Sequence, residues 1–313
     1  MKVLVTGGAG FIGSHVVDRL MLDGHEVVVL DDLSSGRLEN IRHHLNKPGF
    51  RFVKGDIRQA RTVEKALEGI DAVIHEAAIA SVPLSIKNPA LTNEINVQGT
   101  QNLLKASIEA GIKRFVYASS SAVYGTPSKL PISEDASLRP ISPYGESKVA
   151  AERHCQTFYG AHGLETVRLR YFTVYGPRQT GEYAGVMTKF LERLQNNQPP
   201  IIFGDGEQTR DFVYIADVVE ATLLALNREG AAGEVFNTGT GEVTTVNRLC
   251  KIFLELTRKT HLKPIYADAR PCDIRHSQAD ITKALKFLGY RPKVSLERGV
   301  REFLNRAEIP QSL

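Results

Sequence analysis

With 313 residues, 42% of them hydrophobic and 24% charged, the chain is long enough for one large or two modest domains. Its 39 basic and 35 acidic residues leave a net charge of +4, a surplus too small and dispersed to argue for a nucleic-acid partner. No apolar run approaches the roughly 20 residues of a spanning helix, and the start enters a strand without a signal-peptide pattern, so no membrane partner is expected.

In chain order, Lys2 to Thr6 is a β-rich run in which Val3, Leu4 and Val5 make a buried strand. Gly7, Gly10 and Gly13 follow, with Phe11 and Ile12 between them, and open an apolar-periodic segment. Gly7 permits a tight turn, Gly10 lets the backbone approach a pyrophosphate, and Gly13 lets the helix pack closely on the strand. The N–H groups and dipole at such a helix start favour a phosphate. Glu26 to Leu30 reads as the next strand and delivers Asp31 and Asp32, 18 and 19 residues after Gly13. An acidic side chain at that tip suits a ribose diol and repels a 2′-phosphate, which points to NAD rather than NADP. The plain alternative is an ordinary βαβ turn with Asp31 in a loop.

Arg51–Val53 reads as a third strand, Thr62–Glu68 as a helix, Asp71–His75 as a fourth strand and Leu91–Ala110 as a long helix. Arg114–Ala118 makes a fifth strand, Tyr144–Tyr159 a helix and Glu165–Arg170 a sixth strand. This alternation predicts an α/β fold: a doubly wound parallel Rossmann-type sheet over residues 1–170, with some of 210–240 returning to it. After residue 171 the rhythm breaks. A helix over Val186–Gln195, short strands at Ile201–Phe203 and Phe212–Tyr214, and helices over Thr245–Leu256 and Leu296–Asn305 read as a smaller α/β substrate-binding domain, 171–313. No linker or repeat is visible, so the two parts are expected to pack together around a ligand cleft.

Between Tyr117 and Lys148 lies the chemistry. Tyr144 and Lys148 are four apart on one helix face, and Ser119, Ser120 and Ser121 sit at the carboxyl end of the fifth strand, where such sheets bind ligands. A neighbouring ammonium and a cationic nicotinamide would lower the Tyr144 phenol from about 10 toward the working pH. A serine hydroxyl can bridge phenol and substrate, so the group suits a base that takes a proton from an alcohol during oxidation. The bland alternative is a packed tyrosine, a solvated lysine and serines that cap the strand. The cysteines, Cys155, Cys250 and Cys272, lie far apart, which suits reduced thiols and a cytoplasmic location. His43 and His44 are adjacent and the other histidines scattered, so no metal site is expected.

Gly7-x-x-Gly10-x-x-Gly13, Ser120 and Tyr144-x-x-x-Lys148 resemble the extended short-chain dehydrogenase/reductase superfamily, and within it the UDP-galactose 4-epimerases and their nucleotide-sugar relatives. Later segments match as well: LRYFTVYGPRQ, FGDGEQTRDFVYIADVV, FNTGTG and RPCDIRHS. The resemblance implies a tightly held NAD and a UDP-sugar oxidised transiently at C4, with Ser120, Tyr144 and Lys148 catalytic and Ser121 the fallback for Ser120. It also implies that Asp31 holds the adenosine ribose, Asp56 and Ile57 the adenine edge, Ala77 and Ala78 the cofactor's path, and Tyr171 the nicotinamide region. Arg210 and Arg270 match positions on the nucleotide diphosphate and Asp273 one on the uridine ribose; the alternative for either arginine is an ion pair with Asp211 or Asp273. A homodimer is implied too.

Three positions depart from the pattern. Thr173 stands where asparagine is usual, Cys272 where glycine is usual, and Glu76 where leucine is frequent; for Glu76 a solvent-facing or arginine-paired place is expected. Ser277 matches a position whose bulk affects entry of an N-acetyl group, and its small size admits UDP-GlcNAc and UDP-GalNAc beside UDP-glucose and UDP-galactose. A nucleotide-sugar 4,6-dehydratase or 4-ketoreductase is the alternative activity, but the dehydratase's Asp-Glu pair is replaced by Ser121 and Ala122. A non-enzymatic NAD-binding regulator would be expected to lack Tyr144 or Lys148, and both are present.

Overall fold

The computed structural model describes residues 1–179, 185–269 and 273–307. Its first half threads β1 (Lys2–Thr6), α1 (Phe11–Leu22), β2 (Glu26–Asp31), β3 (Phe50–Lys54), α2 (Ala60–Leu67), β4 (Ala72–His75), α3 (Val82–Lys87), α4 (Pro89–Asn93), α5 (Thr100–Glu109), β5 (Arg114–Ser120), α6 (Pro143–His162) and β6 (Glu165–Tyr171). The second half adds β7 (Thr173–Tyr175), α7 (Val186–Gln195), β8 (Ile201–Phe203), β9 (Thr209–Arg210), β10 (Phe212–Tyr214), α8 (Ile215–Asn227), β11 (Val235–Thr238), β12 (Thr244–Thr245), α9 (Val246–Leu256), β13 (Ile265–Ala267) and α10 (Leu296–Ala307).

Seven strands form one sheet in the order β3-β2-β1-β4-β5-β6-β11, every neighbour parallel. The fold is therefore the doubly wound α/β sheet read from the alternation. Its strands are apolar on both faces because both faces are covered. Val3 and Val5 pack with Val16, Val17 and Leu20 of α1 and Val218 and Ala221 of α8, whereas Leu4 packs with Val63 of α2, Leu103 of α5 and Phe158 of α6. The strand order reverses between β1 and β4, and that switch point opens the crevice at their carboxyl ends. No helix among the described residues is long and apolar enough to cross a membrane.

The long helix expected over Leu91–Ala110 is broken in two by a π-helical turn at Glu94–Gly99. Its cause is polar. Asn96, 1% exposed, accepts from the Ile79 N–H at 2.8 Å and donates to the Ile79 carbonyl at 3.0 Å and Ser147 Oγ at 2.9 Å. The wider turn carries that amide inward, tying the segment after β4 to α6; such bulges recur at functional sites.

β11 joins the central sheet beside β6, and α8 lies on the same face as α1. The rest of the second half uses short paired strands, β7 with β10, β9 with β12 and β8 with β13. Phe190 of α7, Phe253 of α9 and Phe303 of α10 stack edge to face, with centroids 5.9 and 6.4 Å apart along the row. Their cluster is continuous with the core under α1, so the second half is packed on the sheet rather than tethered to it.

Candidate active site

The crevice begins at the glycine turn. Gly7 has φ +68°, and a Cβ there would lie 2.7 Å from the Ala77 backbone N; one on Gly13 would lie 2.2 Å from the Gly7 carbonyl. Both glycines let β1, β4 and α1 approach within reach of one ligand. α1 is capped by Gly10, which has no side chain to bond the first N–H groups, and its first turn carries no acid, so those donors suit an anion. Asp31, 7% exposed, accepts from the Ala9 N–H at 2.9 Å and the Leu33 N–H at 2.8 Å. Burial, and the Asp32 charge less strongly, push its carboxyl up against these two bonds. Asp32 is exposed and turned to Ser34, whose N–H and hydroxyl it accepts at 2.9 and 2.6 Å. Further along the same crevice lie Asp56, Ile57, Ala77 and Ala78. The Arg58 guanidinium, 2.6 Å away, lowers the Asp56 carboxyl. A glycine cradle, an open helix start and a buried carboxylate at the tip of β2 fit a dinucleotide.

At the other end of the crevice are Ser120, Tyr144 and Tyr171. α6 presents Tyr144 in its first turn: Pro143 starts the helix, the Ser142 Oγ cap accepts the Gly145 N–H at 3.1 Å, and Ser85 Oγ accepts the Tyr144 N–H at 3.1 Å. One turn on, Lys148 is 4% exposed and donates to the Ala118 carbonyl at 2.6 Å, with its Nζ 4.8 Å from the Tyr117 ring centre and 6.0 Å from that of Tyr144. Burial pushes Lys148 down to about 8, although the Glu76 charge pulls it back up. The phenol of Tyr144 is itself raised, by burial first and the Glu76 charge, while the Ser120 hydroxyl acts in the opposite sense. The lowering expected from an ammonium together with a cationic nicotinamide is not present in the protein alone. In the protein alone the ammonium is committed to a main-chain carbonyl, and desolvation of the ring outweighs it.

Successive serines at the end of β5 have different duties. Ser119 turns to the buried Glu152, which pairs with Arg170 through two bonds of 2.9 and 2.7 Å; Arg170 also donates to the Tyr124 hydroxyl at 2.9 Å. This network binds α6 to β5 and β6 and so fixes the height of Tyr144. Ser120 accepts the Ala122 N–H at 3.2 Å and faces the crevice, whereas Ser121 starts a 3₁₀ turn and lines neither cleft.

A second cleft of about 580 Å³, within the range of small-molecule sites, is lined by Thr173, Lys189, Arg193, Arg210 and Asp273. Phe172 and Val174 face the first crevice and Thr173 the second, so one extended segment separates the two. Arg210 is ion-paired with Asp273, the alternative weighed from the sequence. Asp211 is instead a fully buried acceptor for the Thr240, Gly241 and Ala279 N–H groups, at 2.7, 2.9 and 3.1 Å. Ser277 is buried and lines neither cleft. Arg270 and Cys272 lie outside the described residues.

Several cleft residues escaped the sequence reading. Ser34, Ser35, Arg37 and Asn40 wall the Asp31 end; the polar, serine-rich run after Asp32 was the available signal. Glu76 lines the Tyr144 end of the crevice and accepts from the Tyr171 hydroxyl at 2.9 Å, which corrects the solvent-facing or arginine-paired place expected for it. Folding also brings Asp18 Oδ1 to 2.8 and 2.7 Å from the Nε2 atoms of His43 and His44, a grouping hidden by sequence distance. Arg178 occupies the other oxygen of Asp18 at 2.7 Å. His44 Nδ1 is buried with no acceptor, so a metal on Nε2 would strand the displaced proton, and the donor set suits an ionic brace better than a cation.

Sheet, glycine cradle and crevice together define a dinucleotide-binding protein. A profile described as the NAD dependent epimerase/dehydratase family matches residues 3–239. The chain is 41% identical over 309 residues to the UDP-glucose 4-epimerase of Mycolicibacterium smegmatis, covering 96% of each. It superposes with a TM-score of 0.93 on a UDP-glucose 4-epimerase of Thermotoga maritima crystallised with UDP-glucose, at 43% identity and 98% coverage of both. With a UDP-glucuronic acid 4-epimerase of Bacillus cereus, in complex with UDP-glucuronic acid and NAD, the TM-score is 0.92 at 34% identity and 98% coverage of both. Other relatives carry dehydratase and decarboxylase names. The chain belongs to the NAD dependent epimerase/dehydratase family.

Proposed function

We propose that the protein is a 4-epimerase of a UDP-hexose, acting on UDP-glucose and UDP-galactose and admitting UDP-GlcNAc and UDP-GalNAc, and working as a cytoplasmic homodimer. The observation that carries this reading is the convergence of Ser120 and Tyr144 on the dinucleotide crevice, one strand away from the Arg210 cleft. In this reading residues 1–170 hold the cofactor, with Asp31 on the ribose, Asp56 and Ile57 at the adenine, Ala77 and Ala78 along the path and Tyr171 at the nicotinamide. Residues 171–313 mainly hold the nucleotide sugar, with Arg210 and Arg270 on the diphosphate, Asp273 on the ribose and Thr173 on the sugar side.

Bound NAD supplies a reversible two-electron oxidation of the sugar carbon. Ser120 orients the C4 hydroxyl, and Tyr144 takes its proton and later returns it. Lys148 favours the phenolate once a cationic ring shares the pocket. Arg210 exchanges its Asp273 partner for the diphosphate and keeps the nucleotide anchored while the sugar turns. A dehydratase needs an acid beside Ser120 to drive elimination, and Ser121 and Ala122 offer none. Incubation with a panel of UDP- and dTDP-sugars, products separated by chromatography, tests the proposal. Interconversion of UDP-galactose and UDP-glucose is the expected result; a 4-keto-6-deoxy product would identify a dehydratase.

A further inference from the structure

The catalytic end of the crevice contains one ionisable side chain to which the alcohol chemistry gives no task. Glu76 Oε1 accepts from the Tyr171 hydroxyl at 2.9 Å, and Thr222 Oγ1 of α8 lies 2.9 Å from that same hydroxyl. Tyr171 and Thr222 are 5% and 0% exposed, so the carboxyl is held from beneath by packed groups. The titratable groups facing it are Tyr171 of β6, Lys148 and Tyr144 of α6 and Tyr117 of β5. His75 is turned away, with its ring nitrogens on Thr6 and Thr100 at 2.7 and 2.8 Å.

An oxidised nicotinamide carries one positive charge, and a reduced one carries none. We propose that Glu76 sets the redox poise of the bound cofactor: its carboxylate, fixed by Tyr171, favours the oxidised ring and takes up a solvent proton when that charge is lost. The proposal rests on the reading of this end of the crevice as the nicotinamide end. The ring gains two electrons and one proton on reduction, and the carboxylate gains a further proton from water. Reciprocity sets the size of the effect, since whatever the ring's charge does to the carboxyl's titration the carboxylate does to the ring. An opposite charge a few ångströms away shifts a titration by about one unit or more, which is about tenfold in the ratio of reduced to oxidised cofactor. Burial already lifts the Glu76 carboxyl to about 7 with no ring present. A cationic ring draws it lower and a neutral ring leaves it there, so the coupled proton is taken up below about pH 7.

The test is a redox titration of the holoenzyme and its Glu76→Gln variant against a mediator dye from about pH 5 to about pH 8, following the near-ultraviolet absorbance of reduced nicotinamide. At the alkaline end the variant is expected to hold the reduced form about tenfold more readily than the parent, and the gap narrows as the pH falls. Between the carboxyl's two titration points, just below about pH 7, the parent takes up more than one proton per electron pair, returning to one at lower pH, and the variant takes up one throughout. Lys148 titrates in both proteins, lower in the variant because the Glu76 charge that raises it is gone, and repeating the pair in a Lys148→Met background removes that contribution. Tyr171→Phe, which removes the carboxylate's donor, moves the parent's coupled step to higher pH. Parallel curves at equal potential overturn the proposal, as does a parent that takes up a single proton throughout. No sugar enters the titration, so a chain that converts no UDP-hexose loses the proposed activity without touching this result.

Discussion

The cofactor crevice joins the glycine turn and short side chains to the rings of Phe11, Tyr144 and Tyr171, with Arg37 and Arg178 as its long cations, whereas the second cleft crowds Lys189, Glu192, Arg193 and Arg210 beside two-stranded sheets. Around the first, the buried polar groups are committed: Asp31 to two N–H groups, Lys148 to a carbonyl, Glu76 to Tyr171, and Ser119, Glu152 and Arg170 to one another. Around the second, the ion pairs join exposed or half-buried groups that can separate, 18% and 32% exposed for Arg210 with Asp273 and 52% and 48% for Lys189 with Glu192. Rigid walls suit a part retained through every turnover, and separable charges suit a ligand that must enter and leave.

The largest expected effect removes the chemistry and spares both walls. Tyr144→Phe should slow interconversion by about 10²- to 10⁴-fold while bound NAD, measured after denaturing release, stays at parental stoichiometry. If the variant turned over normally, the proposed base would be wrong. Next, Arg170→Met should strand the buried Glu152 charge and cost about 3–5 kcal/mol in urea unfolding, with Glu152→Leu in the same chain restoring much of it. An equal loss from Arg210→Ala would erase the distinction between the clefts. That variant is instead expected to raise KM for the UDP-sugar by about 10- to 100-fold, with thermal stability and NAD content unchanged.

The smallest effect concerns pH. A carboxyl raised on folding makes the native chain bind the proton more tightly than the unfolded chain, so Glu76 withdraws stability as pH climbs from the ordinary carboxyl range to about 7. NAD-free Glu76→Gln should therefore match the parent near pH 5 and exceed it by about 1–2 kcal/mol near pH 8. Paired thermal melts check this, and a constant gap at all pH values would refute it.

Much of the first crevice was legible because its determinants are local. Gly7, Gly10 and Gly13 encode a turn within one loop, Asp31 ends the strand after it, and Tyr144 and Lys148 share one helix face. The interrupted helix was not legible, because nothing near Asn96 announces that its amide will meet Ile79 and Ser147. Nor was Glu76. Its partner Tyr171, and the Thr222 that holds the same hydroxyl, are 95 and 146 residues further along, and only the pairing of the sheet with α8 brings them together.

What the sequence determined by itself was the layering of the sheet, the dinucleotide turn and which residues share a helix face, since apolar periodicity, glycine sterics and i,i+4 spacing act over a few residues. Tertiary structure decided the charge state of the reaction pocket. Whether Tyr144, Lys148 and Glu76 hold or release their protons depends on how far packing removes them from water and which distant groups face them, and the order of residues along the chain carries neither quantity.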